Sequence, residues 1–169
     1  MSRTLTALPL TAERFAAFGD VLETAAPKKQ SMNSARFERF SDLAKLDFGP
    51  EAGGHPSISI ARGKTPSAMP YRLDMLERHP DGSQAFMPLS NFSFVIVVAP
   101  AEEEVNTEEI AAFITNGKQG INYHKGVWHM PMIAMQEGQE FLIVDRAVDA
   151  EGGGNCDEQY LGDPILIEL

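Results

Sequence analysis

Cysteine is nearly missing from this 169-residue sequence: Cys156 is the single one. No internal disulfide can form, which suits a reducing compartment, and no second thiol stands at a metal-binding spacing from it. In its Gly-Gly-Gly-Asn-Cys-Asp setting Cys156 reads as an inert or exposed thiol. Positive charge is also scarce, with 14 Lys and Arg against 24 Asp and Glu and a formal charge of −10. Because nucleic acids and anionic membranes are gripped by clustered Lys and Arg, and no such cluster exists here, neither is expected as a partner. Long apolar runs are absent too. The longest, Phe92 to Ala99, has the length of a strand, far from the roughly 20 residues of a membrane helix. The N-terminal apolar stretch is broken by Thr4, Thr6, Pro9 and Thr11 and followed by Glu13, so no secretory signal is expected. The expectation is a cytoplasmic protein, and an anionic small substrate stays open where a site supplies a local Arg or Lys.

What is present fits one domain over residues 1–169. Hydrophobic residues make up 43% and charged residues 22%, with 11 Pro and 14 Gly, a composition able to build a packed core. Helix signals are few. Thr11 can cap a short helix through Arg14, Phe15 and Phe18 that Gly19 ends, and Asn106 or Thr107 can start a second through Glu108, Glu109, Ile110 and Phe113, with Gly117 beyond it. The rest reads as strands: 56–62, 92–99 and 140–146 are rich in β-branched or alternating apolar residues. Turn signals separate them at Pro80-Asp81-Gly82, Gly117 to Gly120, Gly126 and Glu137-Gly138. Many short strands without βαβ alternation predict an antiparallel sandwich or barrel. The Gly152-Gly153-Gly154 run is too short and too late to be a domain linker.

Two polar clusters interrupt the strand-like chain. In Leu76 to Phe86, Glu77 and His79 leave the same face of one strand, and the Pro-Asp-Gly turn is expected to fold the next strand back so that Gln84 returns toward them. In Gly120 to Pro131, His124 and His129 stand five residues apart, with Gly126 placed to reset the alternation. Three of the 4 histidines therefore lie in two hairpin-like segments, and the fourth is His55. Arg62, Arg72, Arg78 and Arg146 offer guanidinium groups for an anion, since a bidentate grip on a carboxylate is what Arg does best. Strict alternation puts Arg72, Asp74 and Leu76 opposite Leu73, Met75, Glu77 and His79. Met130, Met132 and Met135 read as gap-filling core, and Trp128 as a pocket wall or a packing residue.

The order of these signals resembles a cupin. Glu77-x-His79 followed by Gln84 is similar to the first cupin motif, with Glu77 in place of its first His and Gln84 in place of its Glu. Gly126-Val127-Trp128-His129 is similar to the end of the second, with Ile133 where that motif has Asn. More specifically, Leu-Glu-Arg-His-Pro-x-Gly-Ser-Gln-Ala-Phe at 76–86 and Gly-x-Asn-Tyr-His-x-Gly-Val-Trp-His at 120–129 resemble the ureidoglycolate lyase family. Residues 11–21 and Asp145-Arg146 resemble it as well, so the resemblance runs over nearly the whole chain.

That resemblance implies a mainly β, cupin-type antiparallel β-barrel of jelly-roll character with a few short helices, a homodimer, and cleavage of (S)-ureidoglycolate to glyoxylate and urea in allantoin catabolism. Ureidoglycolate is a carbinolamide, so elimination needs a base for the hydroxyl proton and an acid for the departing urea nitrogen. His129 or His124 suits either role, and Gln84 can donate or accept toward the ureido group. The substrate carboxylate calls for a cation, with Arg72, Arg62, Lys125 or a metal as candidates; Glu77 and Tyr123 complete the expected substrate-binding set. Carried onto the cupin motif, Glu77, His79, Gln84 and His129 are the metal positions, for a weakly held or stimulatory divalent ion such as nickel or manganese, or for none. Two other readings stay open: an amidohydrolase releasing ammonia and carbon dioxide, and a non-catalytic cupin that binds a small acid.

Overall fold

The computed structural model describes residues 3–25, 29–50, 53–149 and 155–169; the triple-glycine run at 152–154 lies outside them. The elements are β1 (Arg3–Thr6), β2 (Leu8–Pro9), α1 (Ala12–Phe15), β3 (Gly19–Leu22), β4 (Lys29–Met32), β5 (Phe37–Phe40), β6 (His55–Arg62), β7 (Tyr71–Arg78), β8 (Gln84–Pro88) and β9 (Val95–Ala99). After a 3-10 turn at Thr107–Glu109 come β10 (Ala111–Ile114), β11 (Gly120–Tyr123), β12 (Trp128–His129), β13 (Glu140–Ala147) and β14 (Asp157–Glu168).

Both helical expectations shrink to a single turn. The Thr11 hydroxyl does cap α1, accepting from Arg14 N–H at 3.3 Å, but α1 ends at Phe15 and Gly19 already opens β3. Asn106 caps the Thr107–Glu109 turn through Glu108 N–H. Its expected continuation to Phe113 is instead strand, because Ala111 to Ile114 pair with Val95 to Val98 of β9. Tertiary pairing outweighs a weak local helix preference.

A seven-stranded sheet in the order β1-β14-β7-β12-β9-β10-β2 packs against a five-stranded sheet in the order β3-β11-β8-β13-β6, with β4 and β5 forming a separate ribbon. Pairing is antiparallel except where β1 joins β14 and β2 joins β10, both parallel. Only Ala7 separates β1 from β2, so the two ends of the seven-stranded order are one stretch of chain. The sheet therefore curls into a nearly closed barrel, and the molecule has a cupin-type, mainly β fold.

Each face of the curled sheet has its own core. Val95, Val97, Ala99, Trp128, Ile165 and Ile167 pack together on one side. Ile96, Val98 and Phe113 point the other way, onto Phe86, Ile121 and Phe141 of the five-stranded sheet. On β7 the alternation breaks. Leu73 and Leu76 both enter the first core, and at the same point the pairing of β7 with β14 shifts, with extra residues of β14 between Tyr160 and Ile165. Leu76 thus leaves the Arg72 and Asp74 face to which strict alternation assigns it, and Glu77 is turned toward the five-stranded sheet.

The Pro80-Asp81-Gly82 turn does not close a hairpin. β7 and β8 belong to different sheets, and the turn carries the chain across the sandwich. Gly82 is required there: a Cβ would sit 2.8 Å from Arg146 Cβ and 3.1 Å from Arg146 Cδ. Gly126, at φ 79°, serves the second crossing, between β11 and β12, with its N–H donating to His79 C=O at 2.9 Å.

Candidate active site

The inner face of the five-stranded sheet changes character along its strands. Ile121, Phe86 and Ile143 form one cross-strand row, and Tyr123, Gln84 and Asp145 form the next. Cross-strand partners share a face, so an apolar floor gives way to a polar row. Opposite that row, β12 is paired between β7 and β9, with His129 set against Glu77. A cavity of about 200 Å³ lies between the sheets, with Glu77, Gln84, Phe86, Tyr123 and His129 on its wall.

At its head Glu77, His79 and His129 converge, their ligand-type atoms all within 4.8 Å of one another. The two imidazoles are fixed in the same way. His129 Nδ1 lies 3.0 Å from Val127 C=O and His79 Nδ1 lies 2.6 Å from Asn155 C=O. A carbonyl only accepts, so each Nδ1 carries the proton and each Nε2 is left with a lone pair. Neither Nε2 has a hydrogen-bond partner, though both atoms are buried. His129 Nε2 stands 3.6 Å from Glu77 Oε1, too far for a hydrogen bond. Burial, against the help of Val127 C=O and with His79 beside it, pushes His129 down to about 3, so its ring is neutral at working pH.

Two imidazole lone pairs and a carboxylate face one another, and among the described residues no donor reaches either Nε2. A cation relieves that repulsion, and two nitrogens with one oxygen suit a divalent first-row ion. The residues therefore fit the metal that the cupin resemblance implies. Gln84 lines the same cavity, but its Nε2 donates to Asp145 Oδ2 at 3.3 Å, so its amide is held by a neighbour. Tyr123 stacks on His129, with ring centroids 4.3 Å apart and planes 15° apart. Burial and the Glu77 charge push its hydroxyl upward, so it stays protonated.

Other expected site residues lie elsewhere. His124 is on the far side of the five-stranded sheet, its Nε2 3.1 Å from Asp20 Oδ2, and Lys125 Nζ is 4.0 Å from Asp47 Oδ2. Chain alternation explains His124: Tyr123 points inward, so its neighbour cannot. Burial pulls the Asp20 carboxyl upward, but hydrogen bonds from Lys45 N–H and Asn122, with His124 nearby, outweigh it and hold Asp20 below the usual 3.8. Arg72 is exposed on β7. Arg62 pairs with Glu140 at the sheet edge, and Arg78 lies over the Trp128 ring at 4.6 Å while bonding Asp157. The structure does not bring these three arginines, His124 or Lys125 to the Glu77 cluster. Met130 is core, whereas Met132 is partly exposed and lines the cavity.

Three residues join the site that spacing did not single out. Asn155 holds the first crossing, its C=O on His79 and its Oδ1 accepting from Asp81 N–H at 2.7 Å. The Cys156 thiol donates to Glu77 Oε2 at 3.7 Å, and burial, then the Glu77, Glu158 and Asp157 charges, pushes it up to about 11. Asp145 ends the inward series Phe141, Ile143, Asp145, and a carboxylate closing an apolar strand face is a signal legible in the sequence.

The family model described as ureidoglycolate lyase matches residues 2–168. The chain belongs to the ureidoglycolate lyase family. It is 47% identical over 165 residues to a ureidoglycolate lyase of Burkholderia mallei, covering 98% of this chain and 94% of the relative. It is 45% identical over 159 residues to a ureidoglycolate lyase of Pseudomonas aeruginosa, covering 94% and 90%. For a ureidoglycolate lyase of Pseudomonas savastanoi pv. phaseolicola the identity is 44% over 161 residues, covering 95% and 92%.

Proposed function

We propose that the chain is a carbon–nitrogen lyase that cleaves (S)-ureidoglycolate to glyoxylate and urea, in the cytoplasm, as a step of allantoin catabolism. The observation that carries this reading is the convergence of Glu77, His79 and His129 at one head of a small cavity, in a chain matched end to end by the ureidoglycolate lyase family. Glu77, His79 and His129 would hold a divalent ion such as nickel or manganese, which when bound supplies Lewis-acid polarisation of substrate oxygens. The protein groups divide the remaining work. With its lone pair at Nε2 and its low proton affinity, His129 is a ligand more than a proton store. Glu77 is then the group at which the hydroxyl proton is held before it passes to the urea nitrogen, so that the C–N bond breaks as the C=O bond forms. Tyr123 keeps the His129 ring in place, and the apolar floor of Phe86, Ile121 and Ile143 limits water.

A homodimer belongs to the same reading. Ile58 and Ile60 on the edge strand β6 are 73% and 63% exposed, and Leu142, Val144 and Met87 share their outward face. An edge strand bearing exposed aliphatic side chains favours association.

The test is incubation of the purified protein with racemic ureidoglycolate while glyoxylate, urea and ammonia are followed together. Equal amounts of glyoxylate and urea are expected. Ammonia without urea would move the assignment to an amidohydrolase.

A further inference from the structure

The substrate offers a polar row two unlike ends: a carboxylate and a ureido group whose terminal NH₂ only donates. Gln84 sits where the first cavity meets a second, more polar one, walled by His79, Ser83, Asp145 and Arg146. A side-chain amide taken alone has no fixed sense, because half a rotation exchanges its oxygen and nitrogen. Asp145 supplies the sense. It is the direct cross-strand neighbour of Gln84, and its Oδ2, which as a carboxylate oxygen accepts, takes Gln84 Nε2–H at 3.3 Å. The carbonyl oxygen of Gln84 is thereby turned away from Asp145.

We propose that Asp145 is a positioning residue that fixes the Gln84 amide so that its carbonyl reads the terminal NH₂ of the ureido group. This rests on the function proposed above and assigns one end of its substrate. At the Gln84 end of the row the amide carbonyl and Asp145 are both acceptors, which pair with a donor and not with a carboxylate, and Arg146 on the wall of the second cavity already has a partner. The ureido group therefore lies along Tyr123, Gln84 and Asp145, and the carboxylate and hydroxyl lie toward Glu77, His79 and His129. Specificity for a carbamoyl over an acyl end follows, because a site built to accept an N–H leaves its acceptors unpaired against a methyl group.

N-carbamoylglycine, which is the substrate without its hydroxyl, and N-acetylglycine, which replaces the terminal NH₂ by CH₃, separate these terms. Binding of each to the divalent-ion-loaded protein is measured by calorimetry for the wild type, Asp145→Asn and Asp145→Ala. The wild type is expected to prefer the carbamoyl compound by about tenfold or more. Both variants are expected to bring that ratio toward one while N-acetylglycine binds as before, a pattern that general loosening of the barrel would not give. Asp145→Asn keeps the side-chain shape but offers Gln84 an oxygen or an NH₂ alike, so the amide loses its fixed sense, and it decides the matter if Asp145→Ala does not fold. A wild-type ratio near one, or a ratio kept in the variants, overturns the proposal. Failure of the function reading looks different: ureidoglycolate yields no glyoxylate and urea, whatever the analogue ratio.

Discussion

The rings of His79 and His129 stand 5.1 Å apart and tilted by 45°, each tied at Nδ1 to a backbone carbonyl and each facing Glu77 with an unshared pair at Nε2. They come from opposite crossings of the sandwich. Gly126 N–H donating to His79 C=O joins those crossings directly, so one hydrogen bond connects the two segments that carry the site.

Divalent-ion binding is expected to stabilise the fold through this pair. At a free concentration one hundred times Kd the gain is about 2.7 kcal/mol, seen as a rise in Tm. His129→Ala is expected to lose most of that rise and to abolish turnover while keeping the circular dichroism of a β protein. A variant that keeps the full rise would remove His129 from the metal set.

Acid stability follows from His129 being neutral. Its value in the folded protein, about 3, lies below the unfolded value of 6.5, so between those limits the unfolded chain binds the extra proton. Stability is then complete above about pH 6.5 and declines as pH falls through the window, by at most about 1.4 kcal/mol per pH unit from this group. Denaturant midpoints of the metal-free protein across that window check it. Loaded protein should lose stability more steeply, because protons compete with the ion.

His124 serves the far side of the sheet, where Asp20, Asn122 and the backbone of Lys45 form one network. His124→Ala is expected to change kcat by no more than about twofold to threefold, the size of a substitution away from the chemistry. Asp20→Ala, which strips the fully buried Asn122 of an amide partner, should cost about 1–3 kcal/mol. It should also flatten the acid limb, since a carboxyl held below its unfolded value stabilises above that value and ceases to as pH falls through the folded one. Steady-state rates and thermal melts of the two variants separate these effects.

The β6 face is testable by size. Ile58→Glu with Ile60→Glu adds four charges to a paired interface and is expected to halve the mass seen in sedimentation, leaving each protomer folded. An unchanged mass would place the contact on another face.

The strand class and the two polar clusters were legible from the sequence, because alternation, turn residues and ligand-type side chains are local properties. Local pattern also made errors of a definite kind. Ala111 to Phe113 continue an expected helix yet pair with β9, and Pro80-Asp81-Gly82 looks like a hairpin turn yet joins two sheets. Whether a neighbouring segment offers a partner is not written in either stretch. The same limit governs the site. His124 and His129 are equivalent as residue types, and only the sheet to which each belongs decides that one faces Glu77 and the other Asp20. Asp145 and Asn155 reach Gln84 and His79 across separations of 61 and 76 residues. Sequence determined which chemical groups the protein owns and the alternation along each strand; the pairing of distant strands decided which groups meet, because a hydrogen bond or a ligand set depends on distance in space.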